Sequence, residues 1–134
     1  MAVIRNETRA VTRGEDVVLV RQVVREWAVA AGFSLVDQTK LVTAASELAR
    51  NQVEYGGGGQ LVLEALNDGA KRGIRLVFED NGPGIKDVEQ AMKDGFTTGS
   101  GLGLGLGGAK RLVNEFDIQS HPGEGTRVTI TRWK

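Results

Sequence analysis

Glycine placement constrains this chain more than any other feature. The 134 residues include 19 glycines, crowded at Gly56–Gly59, Gly82–Gly84 and Gly95–Gly108. In the last stretch glycine recurs at alternate positions, from Gly99 through Gly101, Gly103, Gly105 and Gly107. A glycine inside a helix costs about 1 kcal/mol relative to alanine. Several together are too costly for packing alone. They leave backbone N–H groups open, and such groups near a helix N-terminus can cradle phosphates. The Gly95–Gly101 segment before them has the composition of a flexible loop, suited to a lid over a nucleotide. Leucines at Leu102, Leu104 and Leu106 recur too regularly for a plain linker.

Three familiar glycine motifs do not account for this stretch. Gly103, Gly105 and Gly108 match G-x-G-x-x-G, but a dinucleotide site should follow a strand and open a βαβ unit. Here a Gly/Thr/Ser loop precedes it, late in the chain. No G-K-[ST] follows, which excludes a Walker P-loop. The H-R-D and D-F-G signatures of eukaryotic-type kinases are absent.

Hydrophobic periodicity sets the framework. Val3 to Val11 reads as an opening strand. Val17, Val20, Val24, Trp27, Ala28 and Ala31 make one apolar helical stripe after Gly14–Asp16, with Gly32 as its stop. Ser34 is placed to cap a second helix running to about Val53, with Leu41, Val42, Ala45, Leu48, Ala49 and Val53 on its buried side. Gly56–Gly59 ends it. Gln60–Asn67 and Gly73–Glu79 read as an antiparallel hairpin across Asp68–Gly73, with Ile74, Leu76 and Phe78 on one face. Asp80–Ile85 is a loop, and Val88–Lys93 has the pattern of a short helix. Leu102, Leu106, Ala109, Val113 and Phe116 mark a further helix. Asp117–His121 and Thr126–Trp133 close the chain as a hairpin across Pro122–Gly125. The expected fold is α+β: a two-layer sandwich with a mostly antiparallel sheet and helices on one face. Residues 1–134 are expected to form one domain.

Two polar motifs stand out against this framework. Glu47 and Asn51, in Ser46-Glu47-Leu48-Ala49-Arg50-Asn51, are four apart on the second helix and share a face. A neutral amide oxygen can ligate Mg²⁺ beside a triphosphate without overcharging the site. A carboxylate one turn away can take a proton from an attacking hydroxyl. Such a pair also arises on an ordinary solvated helix face. Asp80-Asn81-Gly82-Pro83-Gly84-Ile85 follows a strand. An ionised aspartate there suits the exocyclic amine of adenine, because it only accepts hydrogen bonds. The glycines allow close backbone approach to a flat base, and Pro83 stiffens the turn. A plain surface turn has the same Asn-Gly and Pro-Gly signals.

Bulk composition narrows the classes. Lys+Arg and Asp+Glu both number 17, so no net charge draws the chain to nucleic acid or membrane. With no cysteine there is neither a disulfide framework nor a thiolate metal site. No apolar run approaches the ~20 residues of a membrane span, and Met1–Ala10 has no signal-peptide core. A cytoplasmic location is the expectation. The single histidine, His121, sits near a hairpin turn and reads as an ordinary surface residue.

Taken together and in order, the motifs resemble the N-box, G1 box and G2 box of the GHKL superfamily of ATPases and kinases. Gly123-Glu124-Gly125-Thr126 resembles that family's G-x-G-T element. The resemblance covers roughly Leu41 to Trp133. Within the superfamily the spellings Ser-Glu-Leu-Ala-Arg-Asn, Glu-Asp-Asn-Gly-Pro-Gly-Ile, Asp-Gly-Phe-Thr-Thr and Lys-Arg-Leu-Val-Asn-Glu-Phe are similar to the RsbT-type switch kinases of the bacterial stressosome. The resemblance implies ATP and Mg²⁺. It makes Asn51 the Mg²⁺ ligand and Glu47 the base. Asp80 would bind the adenine amine with Thr126 beside it, and Gly82 and Gly84 would shape the base pocket. Gly101, Gly103 and Gly105 would approach the phosphates. Arg50 and Lys110 are candidates for clamping the γ-phosphate. The implied substrates are serines or threonines of STAS-domain partners (RsbS/RsbR-like), and the implied downstream partner is a PP2C-type phosphatase. Two alternatives stay open: an anti-sigma factor kinase, and a nucleotide-gated binding module without catalysis.

Overall fold

The computed structural model describes residues 1–85, 92 and 105–134. Its elements are β1 (Ala2–Val11), α1 (Gly14–Ala30), α2 (Leu35–Glu54), β2 (Gly59–Asp68), β3 (Lys71–Asp80), α3 (Gly105–Arg111), β4 (Glu115–Ser120) and β5 (Thr126–Trp133). The strands form one antiparallel sheet in the order β1-β2-β3-β5-β4. The α+β two-layer reading is therefore observed.

Each element follows from its sequence. At the start of α1, Asp16 turns its carboxylate back to accept from the backbone amides of Thr12 and Arg13, at 2.9 and 3.1 Å. These two amides and the Thr12 hydroxyl hold the Asp16 carboxyl below its ordinary range. Ser34 caps α2 as expected, its Oγ accepting from the Asp37 amide at 3.1 Å. Val17, Val20, Val24, Trp27 and Ala28 are buried under α1, and Leu41, Val42, Ala45, Leu48 and Ala49 under α2. They meet Leu61, Leu63, Ile74, Leu76, Phe78, Val128 and Ile130 from alternate strand positions, in one core between helices and sheet. Burying each valine, leucine, isoleucine or phenylalanine among them stabilises by roughly 1.5–3 kcal/mol. The other sheet face carries polar pairs such as Arg75 and Glu64, 2.6 Å apart.

The last helix is shorter than its leucine and valine spacing predicts. It ends at Arg111, and Phe116 lies in β4, where Phe116 and Ile118 alternate toward the core. A helical stripe and a strand alternation share those apolar positions, so spacing alone could not divide them. Non-local bonds make the division. The Asn114 amide donates to the Thr131 carbonyl (3.0 Å), the Trp133 amide to Asn114 Oδ1 (2.7 Å), and Arg132 to the Leu112 carbonyl (2.9 Å). Arg132 also reaches Asp37 at 2.6 Å, which ties the start of α2 to β5 and lowers the Asp37 carboxyl. The expected helix at Val88–Lys93 and the Gly95–Gly101 loop lie outside the described residues, Met92 apart.

Candidate active site

The middle of α2 carries the first two candidate residues. Glu47 is 8% exposed. A carboxylate so buried needs a partner, and Arg50 supplies one, its Nη1 3.2 Å from Glu47 Oε1. Arg50, a sequence candidate for the γ-phosphate, is thus engaged with Glu47. Both residues line an open groove of about 880 Å³ between α1 and α2, together with Arg21, Arg25, Val42 and Ser46. Asn51 lies one turn beyond Glu47 and is half-buried. Its carbonyl accepts from the amides of Tyr55 and Gly56 where the helix ends.

Asp80 closes β3, half-buried, directly opposite Thr126 in the β3–β5 register. Its Oδ1 accepts from the Gly82 amide at 3.0 Å. Burial pushes the carboxyl up from its ordinary value, outweighing the backbone amides of Gly82 and Thr126, which pull it down. The protonated carboxyl is therefore favoured by folding. Between the unfolded value and the raised folded one, the folded state holds more protons, so stability falls as pH rises through that window. Removing the titration by Asp80→Asn should flatten the stability curve over the pH range just above the ordinary carboxylate value. Urea denaturation of both proteins across that range checks this. A wild-type curve parallel to the variant's would dismiss the burial effect.

The glycines around Asp80 are fixed by crowding. A Cβ on Gly82 would stand 2.5 Å from the Gly56 carbonyl oxygen, and one on Gly84 would overlap the His121 carbonyl. Gly125, at φ +85°, packs its Cα against the Asp80 carbonyl, where a side chain would overlap. The loop after β3 is pinned to the β4–β5 turn by Ser120. Its Oγ accepts from the Ile85 amide (2.7 Å), donates to the Gly125 carbonyl (3.1 Å) and lies 2.8 Å from Thr126 Oγ1. Sequence reasoning missed Ser120, because a lone serine in a strand carries no pattern. The side chain of His121 is exposed, as read.

The structure brings Asp80, Gly82, Gly84 and Thr126 together at one end of the sheet, and links them to Asn51 through the turn at Gly56. Gly105 opens α3 and is buried, whereas Lys110 on the same helix is exposed. Gly101 and Gly103 lie outside the described residues. No helix among the described residues is long and apolar enough to cross a membrane.

Among the described residues, an antiparallel sheet lies under three helices, with a polar helix face and a half-buried strand-end aspartate, the architecture of the GHKL class of ATPase domains. The family described as histidine kinase-, DNA gyrase B- and HSP90-like ATPase matches residues 36–134, and the chain belongs to it. It is 48% identical to the serine/threonine-protein kinase RsbT of Bacillus subtilis (strain 168) over 118 residues, 88% of this chain and 89% of RsbT. It is 28% identical to the anti-sigma F factor of Thermoanaerobacter sp. (strain X514), covering 95% of this chain and 92% of that protein. Among solved structures, the RsbU and RsbW domains of Rv1364c from Mycobacterium tuberculosis superpose with a TM-score of 0.67 at 25% identity. That match covers 97% of this chain and 33% of the other.

Proposed function

We propose that this chain is an ATP-dependent serine/threonine protein kinase of a partner-switching module. It transfers the γ-phosphate of ATP to a serine or threonine of a STAS-domain protein of the RsbS/RsbR kind. Once released from that partner, it activates a PP2C-type phosphatase in the cytoplasm. The observation that carries this reading is the 48% identity to RsbT across 88% of the chain.

The residues have consistent roles under this reading. Asp80 accepts a hydrogen bond from the adenine amine, with Thr126 beside it, and Gly82 and Gly84 shape the base pocket. Gly101, Gly103 and Gly105 let backbone amides approach the phosphates. Asn51 fits Mg²⁺ as a single neutral oxygen donor, with the triphosphate as the main ligand. Magnesium held there supplies charge neutralisation at the transferring phosphoryl group. The acceptor hydroxyl enters along the groove between α1 and α2, where Glu47 orients it and takes its proton. The serine Oγ–phosphorus bond forms as phosphorus parts from the β-phosphate oxygen, leaving ADP.

A second reading is favoured by the anti-sigma F factor of Thermoanaerobacter sp. (strain X514), whose likeness spans 95% of this chain. Under it the chain would hold a sigma factor. The deciding experiment follows labelled phosphate from Mg-ATP to a STAS-domain protein encoded near this one, alongside a sigma-factor pull-down. Labelled serine or threonine, with no sigma factor retained, is the expected result. Capture of a sigma factor would install the second reading.

A further inference from the structure

Gly56–Gly59 is the one glycine cluster that the roles above leave without a task. It follows directly on Gln52, which is 3% exposed. The Gln52 amide nitrogen donates to two carbonyls, Gln60 at 3.1 Å and Glu79 at 2.9 Å. The Gln52 backbone carbonyl accepts from the amides of Gly56 (3.1 Å) and Gly58 (2.8 Å). One residue therefore clamps α2 to both β2 and β3 with its side chain, and folds the glycine turn back with its backbone. The Glu79 carbonyl shares its peptide plane with the Asp80 amide. Holding that carbonyl fixes the plane from which the Asp80 side chain departs.

Gly56 completes the arrangement. A Cβ there would stand 2.5 Å from Asp80 Oδ2, 2.6 Å from Asp80 Cγ and 3.0 Å from the Gln52 carbonyl. No left-handed backbone is involved at Gly56, so the need for glycine is one of space alone. Its carbonyl in turn packs against Gly82. The carboxylate thus rests on bare backbone, braced on one side by the Gly82 amide and undercut by Gly56.

We propose that Gln52 and Gly56 are the positioning residues of the adenine site: Gln52 holds the Asp80 peptide in place, and Gly56 leaves its carboxylate room to face the adenine amine. The proposal rests on the reading of Asp80 given above. Because Gln52 follows Asn51 on α2, the clamp also ties the base-recognising end of the site to the metal-binding end.

The test compares affinities for Mg-ATP and for Mg-purine riboside triphosphate, which differs from ATP only in lacking the 6-amino group. Wild type, Gln52→Leu, Gly56→Ala and Asp80→Asn are measured, with a melting curve for each. Wild type should prefer ATP by about tenfold or more, the worth of one hydrogen bond to a charged acceptor. Gln52→Leu and Gly56→Ala should lose most of that preference while binding the analogue almost as wild type does. Gln52→Glu, which sets an acceptor against two carbonyls, should do no better than leucine. A merely structural role would weaken both ligands equally and keep the ratio. A folded Gln52→Leu protein with the wild-type ratio overturns the proposal, and Gln52→Met decides in its place if the leucine variant does not fold. No preference in wild type, or full ATP affinity in Asp80→Asn, would instead remove the adenine role of Asp80 itself.

Discussion

Glu47→Gln should lower the turnover of phosphoryl transfer by about 10²–10⁴-fold, the usual contribution of a positioned general base. ATP affinity should stay within about twofold of wild type, because an interaction made only in the transition state affects turnover and not binding. Glutamine is the informative replacement. Glu47 is nearly buried and paired with Arg50 at 3.2 Å. Alanine would strand the guanidinium and confuse a folding defect with a chemical one. Glutamine keeps the shape and an oxygen for Arg50, but it cannot take the acceptor's proton. Single-turnover transfer from labelled ATP, with saturating acceptor, gives the rate. Equilibrium titration gives the affinity. Undiminished transfer would remove Glu47 as the base. A variant that fails to bind ATP would move Glu47 from the chemistry to the nucleotide pocket.

The helical layer was legible in the sequence because its signals are local. The Trp27 stripe, the Ser34 cap and the Glu47–Asn51 spacing each lie within a few turns of one helix, and all are observed. The strand alternation of Ile74, Leu76 and Phe78 was legible for the same reason. Phe116 departs from the helical expectation because its neighbours satisfy two periods, and only bonds to Thr131, Arg132 and Trp133 on another strand decide between them. The site divides along the same line. Glu47 and Asn51 follow from helical spacing. The adjacency of Asp80 and Thr126 depends on a register between strands 46 residues apart in numbering, which no local pattern encodes. In the sequence, only the family resemblance implies that adjacency. The pairing of Arg50 with its helix neighbour Glu47 follows from their three-residue spacing. Gln52 and Ser120 gave no signal, since a single polar side chain declares itself only through the backbone groups it meets.

Asp80→Asn should weaken ATP binding about a hundredfold, since a hydrogen bond to a charged group is lost and a repulsive one gained. The carboxylate is acceptor-only, which suits an amine donor. Its Oδ1 already serves the Gly82 amide. An asparagine must keep its one oxygen toward that amide, and so turns its NH₂ toward the ligand, donor against donor. The same substitution removes a carboxyl that burial pushes up from its ordinary value, so the free protein should be no less stable at neutral pH than wild type. Affinity and stability thus move apart, as expected of a residue kept for function at some expense of the fold. Calorimetric titration with ATP and urea denaturation, both at neutral pH, measure the two quantities. Lost stability with unchanged affinity would make Asp80 a structural residue of the turn. Lost affinity with stability held or raised would place it at the adenine, and would make the backbone around it, Gly56, Gly82 and Gly125, the mould that keeps an unfavourable carboxylate in position.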